Sequence, residues 1–532
     1  MFFKSVFRNG ISKAQLVIIT TIYLFLLNLF VNQDLSAWRH MLWPALVFLF
    51  LCALFSLLHR YFLKLFLCGM VLISVVCVFI KKYYNIAITE DIILSALTTE
   101  ADLTLEMASV KIIKFMLLAA GLPIILILWS KIKYTSFYRN ICTTLAQCVL
   151  CIILIFGILH TSGYQLQERK GHIRDPRLVL DMANFSPLDA LYSMYKAHKT
   201  FRNMKAVYAN VEVLTRKYDY SKEMDDLLVV LVIGESSRGD HFSLNGYSRN
   251  TNPLLSRVEH LYSFKHAESC DTLTINSVHC MTSPMQKNQP DRVPRQSSFG
   301  EILKHLGFRT EIYSLQTLNG FYKYLHYDKL LTKYTVLNGK NDGAKDSALM
   351  PYLSQAIQAY EGGNTLLIAH TLGSHQTYAD RISQEHAVFT PYCKNPDVSR
   401  CLQQELVNAY DNTIVSVDAM LYQIIKQLEN KRALLIYVSD HGESLGEGGN
   451  YFHGQPVNIA PKEQFNIPFI IWFSEKFRAT PQGQAYEQSV KEHAAQDKQV
   501  SHDFLFHSLL GCAGIRSDKG GIDPRLNLCY MD

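Results

Sequence analysis

Long apolar runs dominate the chain up to about residue 160. After about residue 225 the pattern changes to short apolar, β-branched runs set among helical ones. Five of the early runs, 16–31, 41–58, 62–80, 115–130 and 141–160, approach or reach the roughly 20 mainly apolar residues of a membrane-spanning helix. The first is no removable signal peptide, since it lies far from any small-residue cleavage site and four more runs follow it.

Lys and Arg in the short loops set the orientation. Lys4, Arg8 and Lys13 precede the first run. His59, Arg60 and Lys64 separate the second from the third, and Lys131, Lys133 and Arg139 the fourth from the fifth. These segments share the cytoplasmic side. Lys81 and Lys82 oppose the rule but are outnumbered. Five crossings then place everything after residue 160 outside the cytoplasm. With 532 residues the chain exceeds one domain. The expected division is a membrane domain at 1–160, a linker at 161–226 and a soluble domain at 227–532.

In the linker, Ser186-Pro187-Leu188-Asp189 is a helix start, with Ser as cap, Pro at the first position and an acid in the first turn. Leu188, Leu191, Tyr192 and Tyr195 recur at helical spacing, and Lys196, Lys199, Arg202 and Lys205 add positive charge. Such a helix either lies on anionic lipid or packs on the soluble domain.

Cysteine usage agrees with the topology. Six of the twelve, Cys52, Cys68, Cys77, Cys142, Cys148 and Cys151, lie in or near the apolar runs as packing residues. The others form close pairs: Cys270 with Cys280, Cys393 with Cys401, and Cys512 with Cys529. In a non-cytoplasmic domain these predict three local disulfides. Among these six no CxxC spacing occurs, which disfavours a zinc ribbon.

The soluble part predicts an α/β fold with a mainly parallel sheet and helices on both faces. Run 227–233 leads into Gly234-Glu235-Ser236-Ser237-Arg238. Run 365–369 leads into His370-Thr371-Leu372-Gly373-Ser374-His375, and run 433–438 into Ser439-Asp440-His441-Gly442-Glu443-Ser444. A fourth run, 467–473, carries no polar group at its end and is structural. Ligands gather at the carboxyl ends of strands in such sheets. Glu235, His375 and Asp440-His441 therefore converge, and His453 can fold back to them. Each acid or histidine alone is as easily a cap or a core residue; His370 is an example. Together they form a divalent-cation site. Glu443 has no direct role beyond supporting its neighbours.

A reaction also needs a nucleophile. The segment Cys270-Asp271-Thr272-Leu273-Thr274-Ile275-Asn276-Ser277-Val278-His279-Cys280 offers three hydroxyls, Thr272, Thr274 and Ser277. A cation can lower the pKa of any of them.

The ordered motifs resemble the bacterial phosphoethanolamine transferases, inner-membrane proteins with a periplasmic domain of the alkaline phosphatase/sulfatase superfamily. The matching residues are Gly234–Arg238, Asn245-Gly246-Tyr247, Arg249-Asn250-Thr251-Asn252-Pro253, Cys270-x-Thr272-x-Thr274 with Cys280, Gly373-Ser374-His375, Asn408-Ala409-Tyr410-Asp411-Asn412, Ser439–Ser444 and Pro461-Lys462-Glu463-Gln464. The resemblance implies Thr274 as nucleophile and Glu235, Thr274, Asp440 and His441 as zinc ligands. It places His375 and His453 beside the substrate phosphate. One zinc ion is expected; a second, and a calcium requirement, stay open.

The donor implied is phosphatidylethanolamine and the acceptor lipopolysaccharide or lipid A, with no nucleic-acid partner and a monomeric chain. Cys270-Asp271, Gly373–Tyr378 and the tail Gly511-Cys512-Ala513-Gly514, Gly520-Gly521-Ile522 and Cys529 resemble the branch acting on the 3-deoxy-octulosonic acid (Kdo) sugar. Asn319-Gly320 departs from that branch. The alternatives are transfer to a lipid A phosphate, a phosphoglycerol transferase or sulfatase-like hydrolase, and a non-catalytic sensor. A sulfatase needs C/S-x-P-x-R, which Cys270-Asp271-Thr272 lacks, and a sensor has no need of Thr274 and its ligands.

Overall fold

The computed structural model describes residues 10–31, 38–58, 62–98, 110–133, 135–162, 167–169, 172–174, 181–182, 184–208, 218–287, 297–316, 325–337, 345–517 and 520–530. Lys4, Arg8, His59, Arg60, Asn319 and Gly320, and the Lys205 side chain, lie outside them. The chain forms two compact units. One comprises residues 1–94 and 108–199, the other residues 95–107 and 200–532.

Every apolar run of the first unit is helical. Trp38–Leu58, Leu63–Tyr84, Lys111–Trp129 and Phe137–Thr161 contain stretches long and apolar enough to cross a bilayer, and Lys13–Leu29 is a shorter apolar helix of 17 residues. Only 11% of the Lys111–Trp129 stretch and 17% of the Phe137–Thr161 stretch is buried against protein. Exposed Leu118, Leu122, Trp129 and Phe156 would face water at great cost, so these faces belong in lipid. Lys111–Trp129 contains a π-helical turn, Leu117–Gly121. Pro123 has no N–H to give the carbonyl four residues back, Ala119. The Tyr23 hydroxyl donates to that carbonyl instead.

The helix that begins at Leu188 runs to Tyr208. Its first turns pack within the membrane unit. The Asn28 amide donates to the Ser186 carbonyl and accepts from the Ser186 N–H, both at 2.8 Å. Ser193 Oγ donates to the Ile88 carbonyl at 3.0 Å. Buried Asp189 pairs with Lys81. Lys81, the residue that opposed the charge rule, is thus neutralised by a carboxylate brought from later in the chain. The division between units falls inside this helix, at 199/200.

The second unit is built on seven strands: β1 (Leu228–Gly234), β2 (Leu261–Phe264), β3 (Arg309–Ser314), β4 (Lys329–Leu331), β5 (Thr365–His370), β6 (Ala433–Ser439) and β7 (Phe469–Phe473). Their order is β4-β3-β5-β1-β6-β7-β2. The first five in that order are parallel, and β7 and β2 extend the sheet antiparallel. All residues of β1, β5 and β6 are buried, as parallel strands covered on both faces must be. Run 467–473 becomes the antiparallel β7. Register sets the central strand ends flush: His370 pairs with Ile233 and Ser439 with Gly234. The segments after β5, β1 and β6 therefore emerge side by side. Disulfides join Cys270 to Cys280, Cys393 to Cys401 and Cys512 to Cys529.

Candidate active site

β1 ends in a sharp turn. Ser236 takes the left-handed conformation, φ +55°, rare for a residue with a side chain. The turn aims the Ser236 N–H at Asp440 Oδ1 (3.1 Å) and its hydroxyl at Glu235 Oε1 (2.7 Å). At the end of β6 the Asp440 N–H donates to the Gly234 carbonyl at 3.0 Å. Glu235, Asp440 and His441 are thereby brought together with almost no exposed surface.

The third contribution is Thr274, first residue of the helix Thr274–Thr282. Its Oγ1 lies 3.2 Å from Glu235 Oε2 and 3.2 Å from His441 Nε2. The other two hydroxyl candidates are committed to backbone carbonyls: Thr272 Oγ1 donates to Gln455 at 2.7 Å, and Ser277 Oγ to Asp271 at 3.3 Å. Of the three, Thr274 presents the hydroxyl that faces Glu235 and His441.

The donor set fits a divalent cation. His441 Nε2 lies 3.3 Å from Asp440 Oδ2 and 3.5 Å from Glu235 Oε1. With metal–ligand bonds of about 2.0–2.2 Å, a tetrahedral site has ligand–ligand edges of about 3.3–3.6 Å. The observed spacings of 3.2–3.5 Å match those edges. Asp440 Oδ2 is buried without a hydrogen-bond donor, an atom a cation would satisfy. Burial, and then Asp440 beside it, raise Glu235 well above the usual carboxylate range. Asp440 is also buried, yet His441 beside it holds its carboxyl below that range. Burial takes His441 down to about 4, so its nitrogen stays unprotonated and able to ligate.

His453 stacks on His441, ring centroids 4.0 Å apart, and its nitrogen can join Glu235 and His441 around one ion. His375 stands further out, 6.4 Å from His453 by centroid. His370, at the end of β5, is a buried core residue that burial drives to about 4.

Several contributors lay beyond the sequence reading. Gln316, just past β3, donates from Nε2 to Glu235 Oε2 and to the Thr371 carbonyl, both at 2.9 Å. Glu443 takes a definite part: Oε2 lies 2.7 Å from His453 Nδ1, and Oε1 accepts from the Tyr378 hydroxyl at 2.7 Å. Burial lifts Glu443 to about 8, against the Tyr378 bond. His502 accepts from the Cys270 N–H at Nδ1 (3.2 Å), and so donates from Nε2 to the Ser439 carbonyl (2.9 Å). It ties the loop before Thr274 to the strand before Asp440. A histidine at the first position of a helix gives no sequence signal for such a bridge.

The remaining motifs prove to be scaffolding. On the long helix Gln403–Leu428, Tyr410 accepts from the Arg238 N–H (2.8 Å) and donates to the Ser236 carbonyl (2.6 Å). Asp411 binds His241 at 2.6 Å, the Tyr247 hydroxyl at 3.0 Å and Arg249. These bonds hold the Glu235 loop from below. Gly442 sits against the Pro461–Gln464 segment. A Cβ there would come within 2.1 Å of the Glu463 carbonyl oxygen and 2.5 Å of that of Asn466, so only glycine fits.

Residues 228–515 match the Sulfatase family, and residues 46–200 match the family described as phosphoethanolamine transferase EptA/EptB. The chain is 29% identical over 524 residues to the Kdo(2)-lipid A phosphoethanolamine 7''-transferase of Escherichia coli (strain K12), covering 94% of this chain and 91% of that protein. It is 29% identical over 472 residues to phosphoethanolamine transferase EptA of the same strain, covering 85% and 82%. Among solved structures, the integral membrane lipooligosaccharide phosphoethanolamine transferase A of Neisseria meningitidis aligns with TM-score 0.81 at 25% identity, covering 97% of this chain and 98% of that one. This chain is accordingly an inner-membrane protein whose second unit is periplasmic. A buried, cation-ready threonine site on a sulfatase-type sheet, following the membrane helices of the EptA/EptB group, makes the chain a member of the sulfatase family and of its phosphoethanolamine transferases.

Proposed function

We propose that the chain transfers phosphoethanolamine from phosphatidylethanolamine to lipopolysaccharide, through a covalent phosphothreonine at Thr274, with release of diacylglycerol. The observation that carries this is the Thr274 hydroxyl, 3.2 Å from both a Glu235 oxygen and His441 Nε2, at the start of a helix. Glu235, Thr274, Asp440 and His441 would hold the ion, and the mixed O/N set favours zinc. The bound ion supplies acidity to the threonine hydroxyl and positive charge to the phosphate.

Thr274 Oγ1 then bonds to phosphorus while the bond to the diacylglycerol oxygen breaks. The N-terminal N–H groups of the Thr274–Thr282 helix favour the negative charge of the phosphoryl group. His453, with Nδ1 engaged by Glu443, has Nε2 left to return a proton to the departing oxygen; His375 is the second candidate. In the second step an acceptor hydroxyl or phosphate attacks the phosphothreonine and Thr274 leaves.

The Kdo sugar is the favoured acceptor. Support comes from the longer match to the Kdo(2)-lipid A transferase, 94% of this chain against 85% for EptA. A sulfatase-like hydrolysis is disfavoured because Cys270 is buried in a disulfide and cannot become the nucleophile. Mass spectrometry of lipopolysaccharide from cells with and without the protein tests the proposal. A phosphoethanolamine increment on Kdo is expected. An increment on a lipid A phosphate would move the acceptor, and none at all would refute the transfer. Elemental analysis of purified protein checks for zinc.

A further inference from the structure

The three site histidines are not held alike. His453 Nδ1 faces Glu443, and His441 Nδ1 faces the Gly442 carbonyl at 2.9 Å. His375 Nδ1 is buried with no hydrogen-bond partner. The aim of the His375 ring therefore rests on its backbone, the loop that follows β5. Within that loop the His375 N–H donates to the Leu372 carbonyl at 2.9 Å, so His375 moves with Leu372.

That loop is gripped from outside by a carboxylate. Asp346 Oδ1 accepts the Leu372 N–H at 2.7 Å, and Oδ2 accepts the Gly373 N–H at 3.0 Å. Asp346 opens a short helical turn, Asp346–Leu349. An acid in the first turn ordinarily serves the N-terminus of its own helix. Both of its oxygens instead reach residues 26 and 27 positions later. The grip also bears on the β1 turn. The Ser374 N–H donates to the Glu235 carbonyl at 2.8 Å. Gly373, at φ +44°, lies so close that a Cβ would come within 2.5 Å of that same oxygen. On the other side, Arg381 Nη2 donates to the Gln376 carbonyl at 3.4 Å.

We propose that Asp346 is a positioning residue for phosphoryl transfer: it fixes the Leu372–Gly373 backbone and through it the placement of His375. The role rests on the transfer reaction proposed above. It requires a carboxylate, because two adjacent N–H groups call for two acceptor oxygens. An amide offers one acceptor and turns an NH2 toward the other N–H.

The test is a double-mutant cycle on the full-length protein in detergent, with fluorescent phosphatidylethanolamine and diacylglycerol release as readout. Asp346→Asn is expected to fold, to lower kcat roughly tenfold or more, and to leave KM nearly unchanged, as with other groups that orient an active-site histidine. In a His375→Ala background the same substitution should cost several-fold less, since its route through His375 is gone and only the Ser374–Glu235 contact remains. Asp346→Glu, which keeps both oxygens, should recover part of the rate and takes the place of Asp346→Asn if that variant does not fold. Equal losses with and without His375 in an active enzyme would overturn the positioning role alone. A wild-type protein that releases no diacylglycerol would refute the transfer and this role with it.

Discussion

A threonine hydroxyl is a weak nucleophile, and the structure shows what sets Thr274 apart from its neighbours. Thr272 and Ser277 spend their hydroxyls on backbone carbonyls, whereas Thr274 faces Glu235 and His441. Thr274→Ala should therefore leave the fold intact and lower diacylglycerol release by about three orders of magnitude or more; near wild-type release would exclude Thr274 as nucleophile. Glu443→Gln keeps the shape of the side chain but replaces the titratable carboxyl beside His453 with an amide. A loss of about 10- to 100-fold in kcat is expected, with zinc content unchanged, measured by the same assay and by elemental analysis. At this scale the sequence was informative where a residue ends a strand. Glu235, Asp440 and His441 were all identified as ligand candidates from their place after apolar runs. Gln316, Asp346 and His502 were not, because each acts across a long sequence separation from a loop or helix that carries no motif of its own.

At the scale of elements, apolar periodicity identified the membrane helices and the three strands that bear the site. It missed β3, whose Arg309, Thr310, Glu311 and Ser314 dilute the apolar signal. Glu311 is buried there through Arg309, the Tyr313 hydroxyl and Lys329, partners that only the fold supplies. The Leu188–Tyr208 helix was legible as a helix but not in its docking, which depends on Asp189 meeting Lys81. Removing one partner of a buried ion pair strands the other, so Asp189→Ala should destabilise the membrane unit by about 3–5 kcal/mol, read as a lower unfolding midpoint in detergent. Replacing Lys81 by Met in the same chain should restore most of that loss. Tyr23→Phe leaves the Ala119 carbonyl without its donor and should cost about 1–3 kcal/mol by the same measurement.

At the scale of the whole molecule, buried histidines away from the site make the stability of the periplasmic unit depend on pH. Burial holds His507 at about 4 while its Nδ1 accepts the Asp523 N–H at 3.0 Å; His279 is likewise driven to about 4. In the unfolded chain both titrate near 6.5. A histidine with a depressed folded pKa contributes its full stability above that unfolded value. The contribution is lost as pH falls from about 6.5 toward 4, at most about 3 kcal/mol per residue. Between pH 7 and pH 5 the unfolding midpoint of the wild type should therefore fall relative to that of His507→Gln; parallel midpoints for the two across that range would contradict the assignment.

The ligand geometry has a further consequence in polymer terms. The three disulfides close loops of only 10, 8 and 17 residues, whereas the Ser236–Asp440 bond joins positions 204 apart. The backbone pairing of β1 and β6 runs out at the Asp440 N–H, bonded to the Gly234 carbonyl. A cation held by Glu235, Thr274, Asp440 and His441 would act there as a reversible cross-link, tying three distant stretches of chain in a single knot and removing far more chain freedom than any of the disulfides. Chelation should then leave the sheet intact yet speed hydrogen exchange selectively at the Glu235, Thr274 and Asp440 turns.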